Sequence, residues 1–302
     1  MSVSARRMKG RTKEAFVGYM FLAPFVLGFS MFVILPMAAT VFMSLTDWDL
    51  FNSPTFIGVE NYANLFFDNK YLWKSLNATF LYASGGVILP LATALLLALL
   101  LNQKIRFRPF FRTAFYLPAV LPSVSTVVLW QWMFDPDLGP LNEVLRIMGL
   151  PTSKWIYSEA AVMPSLWLMA MWGCGSTMVI FLAALQDVPK HLLEAAEIDG
   201  AGTFQKFRHI TVPTISPVIF FNFLMSVIGA FQVFVPAQLM TGGGPNNSTL
   251  FVTYYIYRLT FGEYRLGYAC ALAFIVFLII MVLAIVIFRM SNKWVFYNEE
   301  KN

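Results

Sequence analysis

Charged residues are scarce in this sequence of 302 residues, and that scarcity excludes most classes of water-soluble protein. Lysine, arginine, aspartate and glutamate make up 12% of the chain, whereas hydrophobic residues make up 58%. An ordinary soluble domain is about 25% charged, because its surface must be covered by polar groups. The same apolar excess excludes an intrinsically disordered chain. The composition is typical of an integral membrane protein.

Residues that carry most catalytic and metal chemistry are also few. The chain has two cysteines, Cys174 and Cys270, and two histidines. Both cysteines lie in apolar runs, which indicates small core residues and no disulfide framework. The sequence has no HExxH metal motif, no GxxxxGK[ST] phosphate loop and no paired carboxylates in an apolar run. We therefore predict that the chain is not an enzyme and holds no metal or cofactor.

Six apolar stretches are long enough to cross a membrane, which takes about 20 residues. This pattern predicts an all-α membrane protein with a basic N-terminal segment at 1–15, a six-span domain at 16–290 and a tail at 291–302. The predicted spans are 16–43, 76–101, 113–134, 161–186, 213–240 and 266–288.

The basic residues predict the orientation of these spans. With the N-terminus placed inside, fifteen of the 21 lysines and arginines lie in inside segments and six lie in outside segments. Cytoplasmic loops of membrane proteins carry such an excess. Both termini are therefore expected in the cytoplasm, and the net charge of +5 is attributed to this asymmetry and not to nucleic-acid binding.

No charged residue lies in the middle of a predicted span. Proton pumps and ion exchangers usually need an embedded carboxylate or histidine, and both histidines, His191 and His209, fall in one loop. If the protein moves a solute uphill, the energy is expected to come from another chain.

The loop at 187–212, between the fourth and fifth predicted spans, is expected to form two helices joined by a turn. Its Leu-Leu-Glu-Ala-Ala-Glu segment has high helix propensity, and Gly200 and Gly202 should end that helix. Thr203 is expected to cap a second short helix at 204–210, and Pro213 to begin the fifth span.

Apolar residues recur at helical spacing in this loop, which suits a docking site for a partner protein or packing against the chain's own membrane domain. Both alternatives remain open from the pattern. The residues are Leu192, Leu193, Ala196, Phe204, Phe207 and Ile210.

The same loop carries a resemblance to a known family. It contains Glu194-Ala195-Ala196, Asp199-Gly200-Ala201 and Ile210-Thr211-Val212-Pro213. These segments resemble the EAA loop of binding-protein-dependent (ABC importer) permeases, in particular those of the carbohydrate branch. Further matching segments are Leu45-Thr46-Asp47-Trp48, Gly58-Val59-Glu60-Asn61-Tyr62, Phe111-Arg112-Thr113, Leu117-Pro118 and Leu239-Met240-Thr241-Gly242-Gly243-Gly244-Pro245. The resemblance covers roughly 15–290.

The resemblance implies the type I ABC importer permease fold in a bacterial cell membrane. It implies a second homologous permease subunit, two ABC ATPase subunits that bind ATP and Mg²⁺, and an extracellular or periplasmic solute-binding protein. This chain would itself bind no cofactor and no nucleic acid, and would contact lipid. The residues expected to couple to an ATPase are Glu194, Ala195, Ala196, Asp199, Gly200 and Ala201.

The resemblance also points to a solute path through spans three to five. The candidate substrate-binding residues are Ser123, Met169, Trp172, Gly173, Ser176, Asn222, Ser226 and Gln232. Aromatic faces and hydroxyls suit sugar rings. For each serine, an interhelical hydrogen bond or small-residue packing is the competing explanation.

The expected function is a permease subunit of an importer for a sugar or oligosaccharide. The alternative on the same scaffold is import of glycerol-3-phosphate or a glycerophosphodiester, with the positive charge supplied by the partner subunit. A stand-alone secondary transporter would need inverted repeats or embedded ion ligands, and the sequence offers neither.

Overall fold

The computed structural model of the protein describes residues 17–296. The predicted basic segment at 1–15 and the end of the predicted tail, 297–302, lie outside the described residues. Between them the chain is helical apart from one short antiparallel hairpin. The elements are α1 Val17–Ser44, β1 Thr46–Asp47, β2 Thr55–Phe56, α2 Glu60–Phe67, α3 Lys70–Asn102, α4 Arg108–Val120, α5 Ser123–Met133, α6 Pro140–Ile147, α7 Glu159–Trp172, α8 Gly175–Gln186, α9 Lys190–Ile198, α10 Thr203–Thr241, α11 Val252–Tyr257 and α12 Leu266–Ser291.

Four of these helices, α1, α3, α10 and α12, are long and apolar enough to cross a membrane. The third and fourth predicted spans are not single helices. The pair α4 and α5 is bent by 101°, and the pair α7 and α8 by 50°, so the described chain has up to six spans if each pair counts as one.

Local chemistry explains both bends. Leu121 and Pro122 adopt extended backbone angles between α4 and α5, because a proline disfavours the helical conformation of the residue before it. Gly173 and Cys174, with ψ angles near 0°, separate α7 from α8. Glycine weakens a helix, which favours a break at this position.

The chain divides into two units by contact. In the first unit, residues 17–68 with Leu259–Ile275, the buried Asn61 ties α2 to the end of α1. Its Nδ2 donates to the backbone oxygens of Ser44 at 3.0 Å and Thr46 at 2.8 Å. Gly267 lies so close to this corner that a Cβ would be 2.0 Å from the Thr46 oxygen.

In the second unit, Asn69–Arg258 with 276–296, α3 packs against α7, α8 and α10. Two apolar clusters fill these contacts, one around Trp130, Leu166 and Phe251 and the other around Met178 and Phe181. Most of the apolar surface of the helices points outward, as expected for lipid-facing helices.

The segment after α5 is held by polar contacts. The buried Asn142 donates to the backbone oxygens of Pro136 and Ser153, and its Oδ1 accepts from the Trp155 indole at 2.9 Å. The backbone N–H groups of Leu138 and Asp137 donate to the carboxylate of Asp135, which lowers the pKa of that carboxyl.

Candidate functional site

Helix α9 and the beginning of α10 form an elbow, which we define as residues 190–211. Helix α9 ends in two backbone bonds, from Ala201 N to the Ala196 oxygen at 2.8 Å and from Gly200 N to the Glu197 oxygen at 3.1 Å. Gly200 has φ +80°, a left-handed conformation that glycine adopts without strain. Helix α9 thus ends at Gly200, where the sequence predicts a helix end.

The second limb of the elbow, residues 203–211 at the beginning of α10, differs from its prediction. Gly202, not Thr203, is the N-cap, and its N–H donates to Gln205 Oε1 at 2.8 Å. The predicted short helix at 204–210 is the beginning of α10, so the fifth span does not start at Pro213. A wider π-helical turn at Phe207–Thr211 precedes that proline and accommodates its missing N–H.

The elbow belongs to the second unit and is held by apolar packing and by one ion pair between its two helices. Leu193 and Ile210 pack on the cluster around Met178. Lys206 Nζ bridges to Glu197 Oε2 at 2.9 Å and so joins the two limbs.

The opposite face of the elbow is open and partly apolar. Ile198 is 88% exposed and Phe204 71%, and Leu192 is also exposed. Glu194 is exposed beside them, and no described residue pairs with its carboxylate. The predicted apolar stripes are therefore divided between an inner and an outer face.

The EAA residues are distributed over this surface. Glu194, Ala195, Asp199 and Gly200 are exposed, whereas Ala196 and Ala201 are partly buried. The six predicted coupling residues thus lie at the end of α9 and in the turn after it, four of them exposed; the partner that they are predicted to meet stays a prediction.

A cavity of about 270 Å³ lies among α3, α7, α8 and α10. None of the described residues that line it is charged. They are Tyr82, Gly86, Pro90, Ala170, Gly173, Cys174, Thr177, Ser226, Gly229, Ala230 and Val233.

The predicted substrate-binding residues are not all at this cavity. Gly173 and Ser226 line it. Met169 is buried in the neighbouring apolar cluster, and the Trp172 ring packs edge-on against Trp130, with ring centroids 5.7 Å apart.

The remaining candidates lie elsewhere. Ser123 begins α5 and Ser176 lies in the first turn of α8, and both are exposed. Asn222 is buried, and its Nδ2 donates to the Val218 oxygen one turn earlier at 2.8 Å. Gln232 is exposed where α10 is interrupted. Gly173 and Ser226 therefore lie at one cavity, and the other six candidates are not among its lining residues.

Sequence reasoning missed Tyr82 and Thr177. Tyr82 belongs to α3, whereas the sequence predicts a solute path through spans three to five. Thr177 directly follows the candidate Ser176. The neighbouring Gly85-Gly86 pair in the middle of α3 was the available signal, since glycine is costly in a helix interior.

Comparison with known proteins identifies the sequence class. Residues 86–296 match the family described as binding-protein-dependent transport system inner membrane component. The chain is 36% identical to the probable ABC transporter permease protein YesP of Bacillus subtilis, over 98% of this chain and 97% of that protein. It is 32% identical to the arabinooligosaccharides transport system permease protein AraP of the same organism, over 91% and 88%.

The fold has a counterpart among solved structures. A chain of a bacterial alginate ABC transporter, in complex with a periplasmic protein bound to alginate pentasaccharide, superposes with a TM-score of 0.83. The two sequences are 22% identical, and the match covers 95% of this chain and 98% of that chain.

Proposed function

We propose a function from the premise that this chain belongs to the family of binding-protein-dependent transport system inner membrane components, a multi-pass membrane family that its residues 86–296 match. We infer that it is a permease subunit of an ATP-driven importer for a sugar or oligosaccharide in the bacterial inner membrane. The relative AraP, named for arabinooligosaccharides, supports the carbohydrate class.

In this proposal the chain forms half of a translocation pathway and a second, homologous permease forms the other half. A solute-binding protein delivers the solute from outside. Two ATPase subunits bind ATP and Mg²⁺ beneath the membrane, so this chain needs no cofactor of its own.

The topology of the proposal has six spans, with each bent pair counted as one and both termini in the cytoplasm. The six-span domain would cover 16–290, with a short cytoplasmic segment on each side, at 1–15 and 291–302. Tilted or broken helices are tolerated in membranes where neighbouring helices satisfy the freed backbone groups. This arrangement puts the elbow on the cytoplasmic side.

The observation that carries the proposal is the open face of the elbow. Ile198 on α9 and Phe204 on α10 expose large apolar side chains, and Glu194, one turn before Ile198, exposes a carboxylate that no residue of 17–296 pairs with. Such a surface on a rigid turn suits a cleft of a partner protein that supplies apolar contacts and a basic residue. We propose that this partner is the ATPase, and that its closure on ATP moves the elbow and the helices attached to it.

The solute is proposed to be neutral. Among residues 17–296, none of those that line the cavity among α3, α7, α8 and α10 is charged. A phosphate or carboxylate would require a basic partner or a cluster of N–H donors in such surroundings. The glycerol-3-phosphate alternative is therefore not favoured by this cavity.

The proposal is tested by Glu194→Lys in the complete importer. Loss of a partly buried charge pair at an interface costs about 2–5 kcal/mol. We expect solute-stimulated ATP hydrolysis and uptake to be lost, while the amount of this chain in the membrane stays normal.

Glu159→Lys is the matched control, because Glu159 is an exposed acid at the start of α7, away from the elbow. It should leave uptake unchanged. Normal uptake in the Glu194→Lys variant would overturn the coupling role of the elbow.

A further inference from the structure

Tyr82 differs from the serines and threonines of α3. The hydroxyls of Ser75, Ser84 and Thr93 each donate to a backbone oxygen three or four residues earlier, at 2.7–2.8 Å. These polar groups are therefore satisfied within the helix, as polar groups in an apolar environment need to be.

The hydroxyl of Tyr82 has no such partner within residues 17–296, although its side chain is 9% exposed. The residue lines the small cavity together with Thr177 of α8 and Ser226 of α10. The described residues offer no hydrogen-bond partner to those two hydroxyls either. Three helices thus each contribute to the lining of one cavity a residue whose hydroxyl has no hydrogen bond in the described part of the chain.

The ring of Tyr82 is held firmly in this position. It packs on the Phe251 ring with centroids 5.0 Å apart. Its backbone oxygen accepts from the Trp167 indole at 3.0 Å. A Cβ on Gly86 would lie 3.1 Å from the Tyr82 ring, and one on Gly85 would lie 2.4 Å from the Trp167 ring. The Gly85-Gly86 pair therefore makes room for the two aromatic rings that set this side chain.

We propose that Tyr82, with Thr177, is a solute-contacting residue whose hydroxyl bonds to a hydroxyl of a neutral sugar unit inside the membrane. This inference rests on the proposed function and extends it to a helix and two residues not assigned above. An uncharged phenol can both donate and accept, as can a threonine hydroxyl, and this matches the donor and acceptor character of a sugar hydroxyl.

The cavity is small and open. It holds about 270 Å³, whereas pockets for drug-sized ligands span about 300–1,000 Å³. Since the proposed partner permease forms the other half of the pathway, Tyr82 and Thr177 would contact only part of the transported molecule.

The test compares sugars that differ by one hydroxyl. The complete importer is reconstituted in liposomes with its binding protein, and uptake of labelled maltotriose and arabinotriose is measured first. Monodeoxy analogues of the transported sugar are then compared with the parent. Because the same binding protein serves every variant, its own preference cancels when variants are compared.

In the wild type, the analogue that lacks the hydroxyl facing Tyr82 should be taken up about 3- to 10-fold more slowly than its parent, the range for one net hydrogen bond. In Tyr82→Phe the parent should slow to a similar degree, and the ratio of parent to that analogue should approach one. Thr177→Val should remove the discrimination for one analogue, and Thr177→Ser should retain it.

Tyr71→Phe is the control, since it makes the same change on the same helix at an exposed position away from the cavity. Its analogue ratios should equal those of the wild type. If Tyr82→Phe assembles normally and keeps every wild-type ratio, the inference is wrong while the proposed function stands. If the wild-type importer takes up neither sugar, the carbohydrate function itself is wrong, and the inference falls with it.

Discussion

At the scale of single residues, glycine determines how closely the helices approach. A Cβ on Gly175, at the beginning of α8, would lie 2.4 Å from the Phe115 backbone oxygen and 2.9 Å from the Tyr116 Cα, both in α4. Backbone atoms cannot rotate away as a side chain can. The close contact between α4 and α8 therefore depends on the absence of a side chain at this position.

Gly175→Ala should lower the thermal unfolding midpoint of the solubilised protein, because overpacking costs about 1–3 kcal/mol. The matched control is Gly28→Ala in α1, where nothing lies within 4 Å of the added Cβ. That change should be neutral or raise the midpoint, because alanine favours a helix over glycine by about 1 kcal/mol. A Gly175→Ala midpoint at or above that of the wild type would contradict the close contact.

The sequence could predict only part of this residue-level arrangement. Gly173 and Ser226 were predicted to be near a solute and do line the cavity. Asn222 was a candidate because it is polar, yet its amide bonds within its own helix. A sequence pattern does not reveal which polar groups are satisfied locally, since that depends on the rotamer.

At the scale of elements, the elbow depends on one left-handed residue. Gly200 closes α9 and lets the chain turn into α10, and the two backbone bonds across the turn join residues 196–197 to 200–201. This turn was predictable, because glycine after a strong helix former marks a helix end. The continuity of α10 through Pro213 was not predictable, because it depends on the π-helical turn before the proline.

Gly200→Ala should weaken the turn, since a left-handed conformation costs an alanine about 1–2 kcal/mol. Amide hydrogen exchange at Ala201, whose N–H bonds to the Ala196 oxygen, should become about tenfold faster. Gly202→Ala is the control, because its φ of −69° suits any residue and its nearest contact is 3.7 Å from the Cβ position. Equal exchange in the two variants would contradict this role of Gly200.

At the scale of the whole molecule, hydropathy predicts where the apolar runs lie better than it predicts helix geometry. Hydropathy locates the apolar runs, but it merges the two helices on either side of Pro122, and those on either side of Gly173, into continuous spans. An average over about 20 residues detects an apolar run whether or not one residue interrupts the helix. The six-span topology stays a prediction until the sides of the membrane are assigned.

Labelling of single cysteines tests that topology, in a background where the buried Cys174 and Cys270 are replaced by alanine. We expect a membrane-impermeant maleimide to label Ser53→Cys and Thr152→Cys from outside. Gln103→Cys and Asn292→Cys should react only after permeabilisation. Labelling of Asn292→Cys from outside, with Gln103→Cys still protected, would require an odd number of spans and would weaken the charge asymmetry.

The uninterrupted part of α10, from Thr203 to Phe231, has a mechanical consequence. This single helix carries the exposed Phe204 of the elbow at one end and Ser226 near the other, about 35 Å apart at 1.5 Å per residue. If it tilts by about 10° around its middle, each end moves by about 3 Å, in opposite directions. A force on Phe204 would then move the cavity wall at Ser226, and the π-helical turn at Phe207–Thr211 is where the helix could bend.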